Sequence, residues 1–428
     1  MDIQKYYEFC TRVKTISGHN SLEEIPQALM DLNAKSPMII TDKGVSAVGL
    51  IQLVQDAIKK SKNKVEIKVI FDDVPPDSDI TTVNEIAKLY KEKGCDSIIT
   101  VGGGSPMDTA KGVNILVSED ADDLMQFTGA GAIKRRLNPL IAIPTTSGTG
   151  SEMTLVAVIA DHSKNKKMAF TSYFLLPDVA ILDSRMTLTL PDFLTAPTAM
   201  DALTHACEAY TCLAKNPLSD SAALFAIELI SDNLLNVIKK PKDANGRLAL
   251  ANASALAGIA FSNSMVGMVH TIGHAIGGVC HVPHGVAMSI LLPYGLEYNL
   301  HKTGHLIGEL LLPLAGSEKF AAIPKELRPL KSIEIIRQLN EDLHKVTGGR
   351  HSRFLSEVHN RDGNQMIPKD KIRDIALTAQ NDGSIFYNPE ELDLEDLIMV
   401  IEAAWEGVPI DRKKIKMSKE TSKVKIKI

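Results

Sequence analysis

The chain has 428 residues, 44% hydrophobic and 23% charged, which excludes disordered, collagen-like and coiled-coil classes and leaves a globular protein long enough for two or three average domains. A formal net charge of -5 gives no electrostatic reason to expect nucleic acid or an anionic membrane as partner, so a small-molecule partner is expected. Cys10, Cys95, Cys207, Cys212 and Cys280 are scattered without a CxxC pair, which argues against a disulfide framework or a thiolate zinc knuckle and suits a reducing cytoplasm. Residues Met1 to Tyr7 lack the pattern of a secretory signal, and no uncharged apolar run approaches the roughly 18 residues of a bilayer span, so neither export nor membrane embedding is expected.

The first part of the chain alternates short β-branched runs with polar stretches of helical length. Runs at 38–41, 65–71, 97–101, 140–143 and 179–182 predict a mostly parallel sheet with crossover helices, an α/β Rossmann-like dinucleotide-binding domain over residues 1–190. Asp42 closes the first of these runs. A carboxylate there can accept bonds from a ribose diol and repel a 2′-phosphate, favouring NAD over NADP, or it can N-cap the next helix. Gly102, Gly103 and Gly104 directly follow the third run, where their amides and a helix N-terminus can receive a pyrophosphate. Ser105 as N-cap, Pro106 at the first helical position and Asp108 as the acidic half of a capping box predict the helix start. The same turn without a ligand is the plainer alternative, and it matches neither GxGxxG nor a Walker A sequence. The segment Pro144 to Glu152 clusters hydroxyls and glycines at another strand end, where open α/β sheets bind ligands.

From about Pro191 the β-branched runs stop, and residues 191–428 read as an all-helical domain, with Pro191 and Pro197 punctuating the boundary and Ala249 to Gly278 reading as a buried helix. Asp201 and His205 are four apart, so they project from one helical face. His270 and His274 repeat that spacing, and His281 and His284 follow Gly277 and Gly278. A single buried histidine is more often a core residue than a ligand, but four of the chain's 12 histidines crowd residues 270–284. Nitrogen and oxygen donors without thiolate suit Zn(II), Fe(II), Mn(II) or Co(II), whereas imidazole disfavours Mg(II) and Ca(II). The last six residues, Lys423 to Ile428, alternate as a short edge strand would, or form a solvated frayed end.

Together, Gly102-Gly103-Gly104-Ser105-Pro106-x-Asp108, Pro144-Thr145-Thr146-x-Gly148-Thr149-Gly150-Ser151-Glu152, Asp201-x3-His205 and His270-x3-His274-x9-His284-Gly285 resemble the iron-containing (group III) alcohol dehydrogenase family, from about Phe9 to Trp405. The resemblance implies that Asp201, His205, His270 and His284 hold Fe2+, for which Zn2+ can substitute. It implies that His274 is not a ligand but lies near the nicotinamide, where it is assigned to proton relay. Asp42 then selects NAD(H), Gly103, Gly104 and Ser105 bind its pyrophosphate, and Thr145, Thr146, Thr149 and Lys167 line the cofactor cleft. Phe261 corresponds to an aromatic residue of the substrate pocket in the lactaldehyde-reducing branch, where an asparagine stands in place of Val156. The apolar Val156 favours simple aldehydes over hydroxyaldehydes. Two further departures are Pro75-Pro76-Asp77-Ser78, where the family has an Asn-Pro pair, and an insertion from Gly348 to Gln365. The implied protein is a homodimeric alcohol dehydrogenase or aldehyde reductase. A dehydroquinate-synthase-like lyase would need Lys or Arg near His270 to His284, and a catalytically inactive nucleotide-binding protein would be expected to lose ligands.

Overall fold

The structure is a computed structural model and describes residues 4–61, 65–161 and 166–415; the alternating segment at 423–428 lies outside them. Among the described residues, nine strands occur in chain order: β1 (Lys14–Gly18), β2 (Pro37–Ile40), β3 (Val69–Phe71), β4 (Ser97–Gly102), β5 (Gly129–Ala130), β6 (Leu140–Pro144), β7 (Val156–Asp161), β8 (Lys166–Thr171) and β9 (Val179–Asp183). Six of them form a sheet in the order β1-β9-β6-β4-β2-β3 in which every neighbouring pair is parallel. The other three form a small sheet, β5-β8-β7.

The helices α1 (Ile25–Asp31), α2 (Lys43–Ala47), α3 (Leu50–Lys60), α4 (Ile80–Lys93) and α5 (Gly104–Glu119) supply the crossovers. Ile39, Ile99, Ile141 and Ile181 pack on one side of the sheet with Leu22, Ile25 and Val54, while Met38, Ile98 and Leu140 pack on the other with Val83, Ile86 and Val113. Burial on both faces is why these strands read as continuous apolar runs rather than as alternation. The run expected over 65–71 narrows to β3. Its first residues instead pass beside the start of β2, with the Glu66 and Lys68 amides donating to Lys35 and Pro37 carbonyls at 3.1 and 3.1 Å.

The remainder is helical: α6 (Asp192–Thr211), α7 (Pro217–Lys239), α8 (Ala244–Ser262), α9 (Met268–Cys280), α10 (His284–Tyr298), α11 (Leu300–Glu309), α12 (Leu311–Ala322), α13 (Arg328–Val346), α14 (Ile372–Ala379) and α15 (Leu394–Glu406). Pro197 lies inside α6 rather than at a boundary. The single helix expected over Ala249 to Gly278 is two helices. The side chain of Asn263 accepts from the Cys10 amide at 2.7 Å and donates to its carbonyl at 3.2 Å, Met265 takes a left-handed φ of 95°, and Gly267 begins a new helix. α7 is long and apolar enough to cross a membrane by length and composition, yet it carries Asp220, Glu228 and Asp232 and buries Ala223, Ala226, Ile227 and Ile230.

Contacts divide the described chain into two compact units, one of residues 8–202 with 232–263, the other of 4–7, 203–231 and 264–415. This division differs from a single cut near residue 190, because α8 packs with the sheet. Its Ala251 and Ala255 pack with Met153, Ala180 and Leu182. The second unit is organised around Ile272, Ile276, Met288, Leu291, Ile375 and Ile401.

Gly150 packs directly against the backbone of α8. It holds a left-handed φ of 60°, and a Cβ there would stand 2.7 Å from the Ser254 carbonyl oxygen and 2.8 Å from the Gly258 Cα, both backbone atoms of α8. Gly150→Ala is therefore expected to cost about 2–4 kcal/mol from left-handed strain and overpacking combined. Urea denaturation of the two proteins side by side measures it, and an unchanged midpoint would contradict the packing described.

Candidate metal centre and cofactor cradle

Asp201 and His205 stand one turn apart on α6, His270 projects from the first turn of α9, and His284 is the first residue of α10. Each offers one ligand atom, and these four atoms lie within 4.8 Å of one another. Asp201, His205 and His270 are buried and His284 is half-buried. The His205 and His270 ring centroids are 4.5 Å apart, and the His270 and His284 centroids 5.5 Å. Ligands at roughly 2.0–2.2 Å from an ion lie up to about 4.4 Å from each other, close to the span of this cluster. One carboxylate and three imidazoles also match the borderline divalent ions, so the residues present fit the expected metal.

Glu208, which the sequence reading did not single out, organises this cluster. It lies three residues after His205 on α6, and its Oε2 accepts from His270 Nδ1 at 2.5 Å. A proton held on Nδ1 leaves Nε2 as the nitrogen that His270 offers to a metal. Glu208 also accepts from the Val269 and His270 amides at 2.8 and 3.3 Å, so it caps α9 where Gly267 has no side chain to do so. Burial pushes the Glu208 carboxyl up to about 7, against the pull of the Val269, Gly267 and His270 amides. Asn388 accepts from the Met268 amide at 3.2 Å and completes the cap.

His274 lies one turn after His270. Its ring stacks on that of His284 at 5.3 Å between centroids, and its Nδ1 bonds Asp382 Oδ2 at 2.8 Å. The remaining oxygen of Asp382 accepts from the Ser384 amide at 2.8 Å, which fixes the carboxylate. Glu208 is separated from His270 by 62 positions and Asp382 from His274 by 108, so only the fold pairs them. The local signal for Glu208 is a carboxylate on the His205 face of a helix of small and apolar residues, three positions after His205.

In the sheet unit, α5 starts at Gly104 with Gly103 as N-cap, and neither Ser105 nor Asp108 caps it. The expected capping box is absent because both side chains are engaged elsewhere: Ser105 Oγ donates to the Pro76 carbonyl, and Asp108 accepts from Ser151 Oγ at 3.0 Å and from the Val158 amide at 2.9 Å. The glycine turn and the hydroxyl-rich segment do come together. Positions for a Cβ on Gly103 and Gly104 lie 3.2 Å from Thr146 Oγ1 and 3.1 Å from Thr149 Cγ2, and the Thr145 amide donates to the Gly102 carbonyl at 3.0 Å. Lys167 on β8 pairs with Asp77 at 3.0 Å, in the same loop whose Pro76 receives Ser105. Asp42 caps α2, with Oδ1 accepting from the Val45 amide at 2.9 Å. Val156 begins β7 and Phe261 lies near the end of α8, each half-buried. The insertion from Gly348 to Gln365 is anchored by His351, whose Nε2 bonds Asn340 Oδ1 at 3.0 Å.

Glu208→Gln is expected to weaken metal binding by about 10–100-fold through looser control of the His270 tautomer and ring angle. A competition titration against a chromophoric chelator reads this directly, and metal affinity equal to that of the unaltered protein would contradict the role given to Glu208.

Comparison with known proteins gives the chain's family. Residues 13–184 match the family described as iron-containing alcohol dehydrogenase, and residues 195–405 match the Fe-containing alcohol dehydrogenase family, C-terminal. Alcohol dehydrogenase 4 of Saccharomyces cerevisiae is 32% identical over 391 residues, covering 91% of this chain and 96% of its own. The NAD-dependent methanol dehydrogenase of Bacillus methanolicus is 31% identical over 399 residues, covering 91% and 97%. The crystal structure of a 1,3-propanediol oxidoreductase superposes with a TM-score of 0.86 at 30% identity, covering 94% of this chain and all (100%) of that one. The chain belongs to the iron-containing alcohol dehydrogenase family.

Proposed function

We propose that this alcohol dehydrogenase interconverts a short-chain aldehyde and its primary alcohol using NAD(H), with Fe2+ as the working ion and Zn2+ able to occupy the same donors. The observation that carries the reading is the convergence of Asp201, His205, His270 and His284 to within 4.8 Å. When bound, the ion polarises the substrate oxygen and the nicotinamide carries the hydride. The chain's own residues supply binding, orientation and proton handling. Gly103, Gly104 and Ser105 present the start of α5 to the pyrophosphate, where the helix dipole favours negative charge. Thr145, Thr146, Thr149 and Lys167 line the cofactor cleft. Asp42 commits one oxygen to capping α2, and its other oxygen is the acceptor for a ribose diol, which supports NAD over NADP. The name of the Bacillus methanolicus relative supports the same choice.

His274 is the proton carrier. Its Nδ1 proton is held by Asp382, so Nε2 is the nitrogen at which a proton is taken up or given. Val156 and Phe261 make the substrate wall apolar, which disfavours a substrate hydroxyl left without a partner. The five cysteines are free thiols, which supports a reducing compartment, and homodimers are the expected assembly. An inactive nucleotide-binding protein is the weaker reading because the whole ligand set converges. The lyase reading is weaker because no Lys or Arg stands in 270–284.

Anaerobic reconstitution with Fe2+ or Zn2+, followed by NADH oxidation over C2 to C6 aldehydes, hydroxyaldehydes and sulfonated aldehydes, tests the proposal. Simple aldehydes are expected to exceed their hydroxylated counterparts in kcat/KM by about tenfold or more. No turnover with any of them, or a preference for NADPH, would overturn it. His274→Ala is expected to lower kcat by about 100-fold with metal content unchanged, read from turnover and metal analysis on the same sample.

A further inference from the structure

Lys111 lies on α5, two turns beyond the glycine turn, and is only 1% exposed. Its ammonium is enclosed by five oxygens: the Ser151 carbonyl at 2.8 Å and hydroxyl at 3.1 Å, the Thr154 carbonyl and hydroxyl, both at 2.9 Å, and the Val156 carbonyl at 2.8 Å. An ammonium has three protons, so some of these contacts are shared, and the surrounding shell is the carbonyl and hydroxyl kind that holds a monovalent cation. Asp108, three residues earlier on the same face of α5, accepts from Ser151 Oγ and the Val158 amide. Between them, Lys111 and Asp108 engage positions 151, 154, 156 and 158. The segment so held begins next to Thr149 and Gly150 and ends on the strand that carries Val156. The helix holding it begins at the turn that faces Thr146 and Thr149.

We propose that Lys111 is a positioning residue whose ammonium acts as an internal cation, around which Ser151 to Val156 folds, locking the wall of the cofactor cleft to the helix that cradles the pyrophosphate. A corollary follows from the shape of the cage. Cutting Lys111 back to alanine removes three carbons and the ammonium and leaves a five-oxygen site for a small primary alkylammonium, of which propylammonium is the exact complement. Burial pulls the Lys111 ammonium down to about 8, while Asp108 and Glu152 hold it up. The inference rests on the reading of Gly103 to Ser105 and Thr149 as the NAD(H) site.

The test compares NADH binding and thermal melting of the metal-loaded protein and its Lys111→Ala variant, with and without propylammonium, ethylammonium or tetramethylammonium at equal ionic strength. The variant is expected to lose at least about tenfold in NADH affinity and to melt lower. Propylammonium should restore most of both losses, ethylammonium less, and tetramethylammonium, which has no N–H donor, none. If Lys111→Ala accumulates only as insoluble chain, refolding from urea is compared in the same amines, and recovery highest in propylammonium, lower in ethylammonium and absent in tetramethylammonium is the expected result. Unaltered NADH binding by the variant, equal effects of all three amines, or none, would overturn the inference. Failure of the unaltered protein to bind NADH would instead overturn the proposed function, since the melting comparison does not depend on the cofactor.

Discussion

The constraint on which the site depends is the burial of one carboxylate and three imidazoles with their ligand atoms within 4.8 Å. Taking such polar groups from water is costly unless they are compensated, and a shared divalent cation would compensate all four at once. The surrounding helices serve that arrangement. A four-residue spacing on α6 sets Asp201 above His205. Glu208, three residues further on, meets the start of α9 and turns His270 to the same point. α9 then brings His274 against His284, where Asp382 holds its outer nitrogen.

A comparable economy governs the sheet unit. The turn at Gly102 to Gly104 ends a central strand and starts α5, as nucleotide-binding turns do at the C-terminal edge of a parallel sheet. The same helix uses Asp108 and Lys111 to hold the segment that follows Thr149. Ser105 and Asp108 look like capping residues in the sequence, but they are spent on tertiary contacts, with backbone glycine left at the cap.

Much of this was legible from local pattern. β2, β4, β6 and β9 show as unbroken apolar runs because both faces of the sheet are covered, and the four metal-binding candidates show because histidine is scarce and helical spacing is rigid. What local pattern missed depended on partners far along the chain. β1 is largely exposed and carries no strong apolar run, so only its pairing with β9 defines it. α8 and α9 merged into one expected helix because their composition is continuous, whereas the break depends on Asn263 binding Cys10. Glu208, Asp382 and Lys111 are ordinary charged residues until the fold brings them to His270, His274 and the Ser151 to Val156 segment.

We propose that one divalent ion is held by the four named side chains. Crystals grown anaerobically with Fe2+ and measured on both sides of the iron absorption edge test it most directly. One anomalous peak is expected at roughly 2.0–2.3 Å from a carboxylate oxygen of Asp201 and from one nitrogen each of His205, His270 and His284, with His270 bound through Nε2. An iron peak elsewhere, a set of ligands that omits one of the four, or His270 bound through Nδ1 would contradict it.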